Sequence, residues 1–366
     1  MEQFLQETLN QIREPDREAM AQALARQESL AKPPHSLGKL EDISVKLAGM
    51  TGRLYNPVER RRVLIFASDN GIVEEGVASC PQSVTLSQTI NFTRGLTGVA
   101  VLARHFHTEL DVMDVGINAD FHQTGVRDVK IAHGTRNFAK AHAMSRAQAE
   151  RALSIGIEAA RRAADDGIQI IGVGEMGIGN TSTSSAVLST LLGLPARQTV
   201  SRGAGINDAA YARKIALIDE AIARWQPDPT DPVDVLMKVG GFDLAAMCGA
   251  FLGAAACRLP VVIDGFISAV AALCAFRLNP LAAAYMIPSH ASAEKGYRLA
   301  MEAMGLEPML LMNMRLGEGS GCPIAFELVA ASQSVIRNMA TFAEAAIDDG
   351  YLSEIRGNKT FLGEAE

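Results

Sequence analysis

One unit recurs along this chain and limits what it can fold into. A short apolar run ends in glycine or a polar residue, and in several cases an apolar helical stretch follows. VLIFASDNG (Val63–Gly71), LDVMDVGI (Leu110–Ile117), IQIIGVG, VDVLMKVGGFD, LPVVIDGF and AAYMIPSH all have this form. Each run reads as a strand, since β-branched or aromatic residues are bounded by turn formers. Strands that alternate with helices predict an α/β fold with a mostly parallel sheet flanked by helices. In such an open sheet, ligands bind at the carboxyl edge, where glycines and polar residues gather here.

The N-terminal segment reads as helical up to AKPPHSLGKLE, where Pro33-Pro34 forces extended chain and Gly38 a turn. Ser145 and Gln148 form a capping-box pattern that opens an alanine-rich helix ending near Gly167. A helical run is expected over Ser184–Leu192. No linker or repeat marks a boundary. The expected division is an N-terminal helical segment (1–55), a large α/β catalytic domain (56–320), and C-terminal helices (321–366) that pack with the N-terminal segment as a smaller helical domain.

A net charge of −7 and the lack of any Lys/Arg run longer than Arg60-Arg61-Arg62 argue against a nucleic-acid surface. Aromatics at 5% make a base-stacking platform equally unfavourable. MEQFLQETLNQ lacks the basic and apolar regions of a signal peptide. No segment reaches the roughly 18 uninterrupted apolar residues of a membrane helix. The five scattered cysteines read as reduced core thiols, so a cytoplasmic location is expected.

Two acids stand in glycine clusters. Glu318 lies in LGEGSGC and Glu175 in IIGVGEMGIGNTSTS. An acid near the start of the helix expected from Cys322 gains about 0.3–1 kcal/mol from the helix dipole. That accounts for the acid but not for its glycine neighbours, which cost conformational entropy and allow close approach of a ligand or another backbone. The residues favour a functional carboxylate at Glu318.

Gly172-Val-Gly174-Glu-Met-Gly177 fits G-x-G-x-x-G after a strand, as in an NAD(P)-dependent oxidoreductase. No acid follows before Asp208 to hold a ribose, and Glu175 would set a negative charge in the pyrophosphate turn. The loop Gly177, Gly179, Asn180, Thr181 precedes a helix whose free N–H groups suit one small anion or a ribose. A second loop, Ser201-Arg202-Gly203-Ala204-Gly205, is followed by Arg213 and Lys214. Two such loops could hold one phosphate monoester, or they are ordinary strand-to-helix turns. There is no Walker A and no G-x-S-x-G elbow. His105-x-His107 resembles no zinc motif, so no metal is expected. Cys322 reads as packing.

Together these segments resemble the nicotinate-nucleotide–dimethylbenzimidazole phosphoribosyltransferase family of cobalamin lower-ligand assembly. The resemblance is carried by KPPHSLGKLE, SDNGIVEEGVASCPQSVT, NFTRGLTGVAVLA, MDVGI, GVGEMGIGNTSTSSA, KVGGFDLAAMCGA, DGFISAVAAL, IPSHASAEKG and MRLGEGSGCPIAFELV. These stretches keep the family's order from Lys32 to Met339. The resemblance implies a Rossmann-like sheet with a smaller helical domain, a homodimer, no metal and no cofactor. It also implies the reaction: nicotinate mononucleotide gives its phosphoribosyl group to a nitrogen of dimethylbenzimidazole, with inversion, yielding α-ribazole phosphate and nicotinate.

The pyridine leaves as a neutral ring and needs no strong acid, whereas the attacking azole must lose a proton. By resemblance Glu318 is the base. Glu175 stabilises the oxocarbenium-like centre or holds the ribose hydroxyls. The resemblance assigns phosphate and ribose to Gly177, Gly179, Asn180, Thr181, Gly203, Ala204, Gly205, Lys214 and Ser292. It assigns the azole to Cys80, Gln88, Met176, Leu316 and Gly317. Some members have Ser where Cys80 stands, and a thiol is the weaker donor, so azole choice is left open. The alternative is a non-catalytic paralogue or subunit that binds azole or nucleotide. Keeping both acids argues against it, since a binder needs no base.

Overall fold

The computed structural model describes residues 2–203, 205–350 and 352. Among them one fully parallel sheet holds β1 (Arg61–Ser68), β2 (Glu109–Gly116), β3 (Val126–Asp128), β4 (Ile170–Met176), β5 (Val261–Ile263) and β6 (Met286–Pro288). The helices are α1 (Glu2–Gln11), α2 (Arg17–Ser29), α3 (Lys39–Thr51), α4 (Ser83–Thr93), α5 (Gly98–His105), α6 (Arg146–Asp165), α7 (Asn180–Leu192), α8 (Ala196–Thr199), α9 (Asp208–Trp225), α10 (Pro232–Val239), α11 (Phe242–Ala256), α12 (Phe266–Leu278), α13 (Lys295–Met304) and α14 (Gly321–Asn338). None is long and apolar enough to cross a membrane.

The strand order is β3-β2-β1-β4-β5-β6. It reverses between β1 and β4, which makes the crevice beyond their carboxyl ends the natural binding position. β1 and β4 run in register, with Phe66 opposite Glu175 and Ala67 opposite Met176. Helices cover both faces of a parallel sheet, so its central strands read as unbroken apolar runs. Every residue of β4 is buried.

VDVLMKVGGFD is a correction to the sequence reading. Its valines suggest a strand, yet residues 232–239 form α10. The Asp231 side chain accepts the Val233 and Asp234 N–H groups, and Pro232 takes the first helical position, where a missing N–H costs nothing. Asp234 and Lys238 then pair at 2.8 Å one turn apart. Local capping outweighs β propensity here. The helix expected from Ser184 begins already at Asn180.

The larger compact unit comprises residues 1–13 and 60–325. The smaller comprises 14–59 and the residues from 326 on. The smaller unit gathers Ala19, Ala23, Ala48 and Ile336 into a core, with a buried Lys32–Glu41 pair at 2.8 Å. Residues 1–13 therefore depart from the expected 1–55 segment. They group with the larger unit because Arg161 donates to Thr8 Oγ1 and Gln11 Oε1, and the Tyr285 hydroxyl donates to the Arg13 carbonyl. The expected C-terminal helices are represented by α14. After it the chain runs in turns and bends to Gly350, and residues 353–366 lie outside the described residues.

Within the larger unit, α6 crosses α11 at glycines. A Cβ on Gly156 would lie 1.8 Å from the Ala246 carbonyl oxygen, and one on Gly249 would lie 1.9 Å from that of Leu153. These two backbones are in direct contact. Propensity alone would make Gly156→Ala stabilising by about 0.5–1 kcal/mol. Crowding predicts the opposite sign, a loss of about 1–3 kcal/mol. Urea unfolding of the variant decides between them, and a raised midpoint would mean that the helices can part.

Candidate active site

Among the acids buried at the carboxyl edge of the sheet, Glu175, Asp243, Asp264 and Glu318 are joined through Asn180 and the 317–321 loop. Glu175 stands near the end of β4, and its Oε1 accepts the backbone N–H of Glu318 at 3.3 Å. Its Oε2 accepts the Asn180 side-chain amide. Asn180 opens α7 and also donates to Asp243 Oδ2 at 3.3 Å. Asp243 follows the Gly240-Gly241 turn into α11, where its Oδ1 accepts the Leu244 N–H. Asp264 comes directly after β5, and its carboxylate accepts Gly321 N–H at 2.7 Å and Gly319 N–H at 3.1 Å. Asp264, not Glu318, therefore serves the N-terminus of α14.

Glu318 itself has φ +64°, between Gly317 at +80° and Gly319 at +83°. Three consecutive left-handed residues lay this loop flat against β4. The contact is close because Gly174 has no side chain: a Cβ there would sit 2.6 Å from the Glu318 carbonyl oxygen. The Glu318 carboxylate turns to α5 and α4. Its Oε1 accepts Gln88 Nε2 at 2.9 Å, and its Oε2 accepts the Val99 N–H at 3.3 Å. The side chain thus satisfies a free N–H in the first turn of α5, although it is far from that helix in sequence.

Burial raises the pKa of three of these acids by penalising their charge. Glu175 is pushed up to about 8, by burial first and then by the nearby Asp243 charge. Asp243 and Asp264 are each pushed up to about 7, again chiefly by burial. Among the described residues, no group of His, Cys, Asp and Glu is arranged to hold a metal ion.

Two adjoining cavities share Gly177, Ile178, Asn180, Thr181 and Gly203. The first is walled by Glu175, Met176, Asp264, His290, Ser292, Leu316 and Gly317. The second is walled by Cys80, Gly179, Arg202 and Lys214. Lys214 is buried, donates to Thr181 Oγ1 at 2.8 Å, and has its pKa lowered to about 8 by burial. The residues assigned to phosphate therefore divide between the cavities: Ser292 lines the first, Gly179 and Lys214 the second, and Thr181 both. Gly205 lines neither, and Ala204 lies outside the described residues. The residues assigned to the azole also divide. Met176, Leu316 and Gly317 line the first cavity, Cys80 lines the second, and Gln88 lines neither but holds Glu318.

The dinucleotide pattern is filled by protein. The Gly174 Cα lies against the Glu318 backbone, and a Cβ on Gly177 would meet the Ser68 carbonyl oxygen at 2.3 Å and Asp243 Oδ2 at 2.8 Å. These glycines admit protein atoms where a dinucleotide site would admit pyrophosphate.

Sequence reasoning gave no role to Asp243, Asp264 or His290. Each stands just past an apolar run, and that position is the signal that could have found them. His290 is buried in the first cavity beside Ser289, with Nδ1 3.0 Å from Ser289 Oγ. Ser289 donates its own hydrogen to the Asp264 carbonyl, so the Nδ1 contact requires Nδ1–H. Burial lowers the His290 pKa, which favours that neutral ring.

The sequence profile of a phosphoribosyltransferase family matches residues 12–347. A relative from Clostridium perfringens, named nicotinate-nucleotide–dimethylbenzimidazole phosphoribosyltransferase, is 51% identical over 98% of this chain and 99% of its own. One of the same name from Ruminiclostridium cellulolyticum is 49% identical over 94% of this chain and 97% of its own. A crystal structure of the enzyme of that name from Thermus thermophilus superposes with a TM-score of 0.87 at 38% identity, covering 92% of this chain and 100% of that one.

The raised acid has a measurable consequence. Glu175 ordinarily titrates at 4.5 and in the fold near 8, so across that window the folded chain keeps a proton that the unfolded chain has released. Its stabilising contribution is complete below 4.5 and is lost as pH rises through 8. Thermal melts across this range should show wild type losing stability toward the alkaline end, and Glu175→Gln losing less. Equal slopes for the two proteins would mean that Glu175 titrates normally.

Proposed function

The chain belongs to the nicotinate-nucleotide–dimethylbenzimidazole phosphoribosyltransferase family. From that membership we propose that it moves the phosphoribosyl group of nicotinate mononucleotide to a nitrogen of dimethylbenzimidazole, releasing nicotinate and α-ribazole phosphate. The observation that carries the assignment of roles is the Glu318 loop. A glutamate stands in a left-handed backbone conformation with its carboxylate held by Gln88 and Val99, beside a second buried acid, at the switch point of the sheet.

Glu318 is the base that takes the azole proton. Its two oxygens already have donors, so its position is fixed before substrate arrives. Glu175 faces the donor nucleotide. With its raised pKa it is a neutral acid in the free enzyme near neutral pH, suited to ribose hydroxyls. A pyridinium cation brought beside it would favour its ionised form, which then opposes the developing positive charge at the anomeric carbon. Lys214, Thr181 and Gly203 take the phosphate monoester, and Met176, Leu316 and Gly317 form apolar wall for the rings. By family resemblance the enzyme is a cytoplasmic homodimer.

The test is nicotinate release from nicotinate mononucleotide, with and without dimethylbenzimidazole. Release should require the azole, and Glu318→Gln should fall by at least the ~10²-fold expected for loss of a general base. Full activity in that variant would move the base elsewhere. Lys214→Met should raise KM for the nucleotide more than it lowers kcat, since it removes binding to a group that does not change in the reaction. A pure kcat effect would remove Lys214 from the phosphate site.

A further inference from the structure

We infer that Asp264 is a positioning residue for Glu318: its carboxylate grips the loop that holds the base in place. This deepens the reading of Glu318 as the proton acceptor and rests on it. The observation is the way the 317–321 loop is held. Its residues at 317, 318 and 319 all have φ between +64° and +83°. A glutamate in that region is unfavourable and persists only where the surroundings over-determine it. Two acids supply that constraint. Glu175, at the end of β4, takes the N–H of Glu318. Asp264, at the end of β5, takes the N–H groups of Gly319 and Gly321 with its two separate oxygens.

The Asp264 oxygens thus flank Ser320 and fix the backbone on the carboxyl side of Glu318. Gly319 leaves little slack, since a Cβ there would meet Val63 Cγ1 at 2.8 Å. The loop is wedged between β1, β4 and Asp264, and the Glu318 side chain leaves it toward Gln88 and Val99. A carboxylate fits this task where an amide does not. It offers acceptors to both N–H groups, whereas asparagine offers one oxygen and points its NH₂ at the other N–H.

Asp264→Asn should fold and should lower kcat by about 10- to 100-fold, because displacing a reacting group by about 1 Å costs on that order. KM for nicotinate mononucleotide should stay close to wild type. Asp264 also lines the first cavity, so a loss that falls on KM instead would show direct contact with the nucleotide and overturn the proposal. The double variant Asp264→Asn/Glu318→Gln should be no slower than Glu318→Gln alone, since one residue acts through the other. Multiplying losses would show independent action and reject it.

A crystal structure of Asp264→Asn gives a readout independent of activity. The Glu318 carboxylate should have left Gln88 Nε2 and Val99 N, and an unmoved carboxylate overturns the inference. If Glu318→Gln proves fully active, the base assignment fails by itself, and this structure still decides whether Asp264 positions the loop. Should Asp264→Asn not fold, Asp264→Glu keeps charge and both oxygens but shifts the grip by one methylene. It is then measured and crystallised by the same criteria.

Discussion

A group of carboxyl side chains buried at one edge of a sheet is the constraint around which the larger unit is arranged. Away from water, a carboxylate must find N–H donors or keep its proton. Glu175 finds Asn180 and the Glu318 amide, Asp264 finds Gly319 and Gly321, and Glu318 finds Gln88 and Val99. Most of these donors are backbone N–H groups, and helices and strands leave such groups free only at their ends. Helix N-termini supply them repeatedly: the first turns of α5, α11 and α14 each place an N–H on one of these acids. The glycine clusters follow from the same requirement, because the chain must bend sharply there and come within contact of a neighbouring strand.

Such a site destabilises the fold locally, and the rest of the unit offsets this with apolar burial. Along α11 and α12 the buried positions run almost without interruption, and β1 and β4 are packed on both faces. Burying one Leu or Val side chain contributes about 1.5–3 kcal/mol, comparable to about one pKa unit or two of shift in a carboxylate. The direct backbone contact of α6 with α11 has a further effect. It fixes α11, and so Asp243 at its start, at a distance set by two glycines instead of by deformable side chains. Rigid elements place acids more accurately than loops do, and here the loop that carries Glu318 is itself clamped between two strand ends.

Much of this was legible in the sequence, for identifiable reasons. Five of the six apolar runs are strands, because a run that ends in glycine or a polar residue has few other solutions in an α/β chain. The sixth, VDVLMKV, failed because an Asp-Pro start and a one-turn ion pair stabilise helix locally, while valine favours strand only when a neighbouring strand is present. Glu318 and Glu175 stood out through their glycine neighbours. Asp264 did not, since an acid followed by glycine after a strand reads as an ordinary turn. Its role depends on partners 55 and 57 residues away, and Gln88 meets Glu318 across 230. Those distances close only through the strand order, which local periodicity does not specify.

Burial of Glu175 also gives the site a useful electrostatic asymmetry. Empty, the crevice keeps Glu175 largely protonated near neutral pH, so it does not accumulate charge that the apolar frame would have to tolerate. If the donor binds beside it as proposed, the pyridinium gives the ionised form a partner, and the acid becomes a counter-charge at the moment one is needed. Once the pyridine has left as a neutral ring, that attraction is gone. On the proposed role of Glu175, desolvation, which costs stability in the free enzyme, thereby favours binding of the pyridinium ring over the neutral ring that leaves. Glu318, the proposed base, stands apart from this cycle: its partners come from α4 and α5, not from the wall of the first cavity, so its carboxylate keeps its hydrogen bonds whatever the charge state of its neighbour.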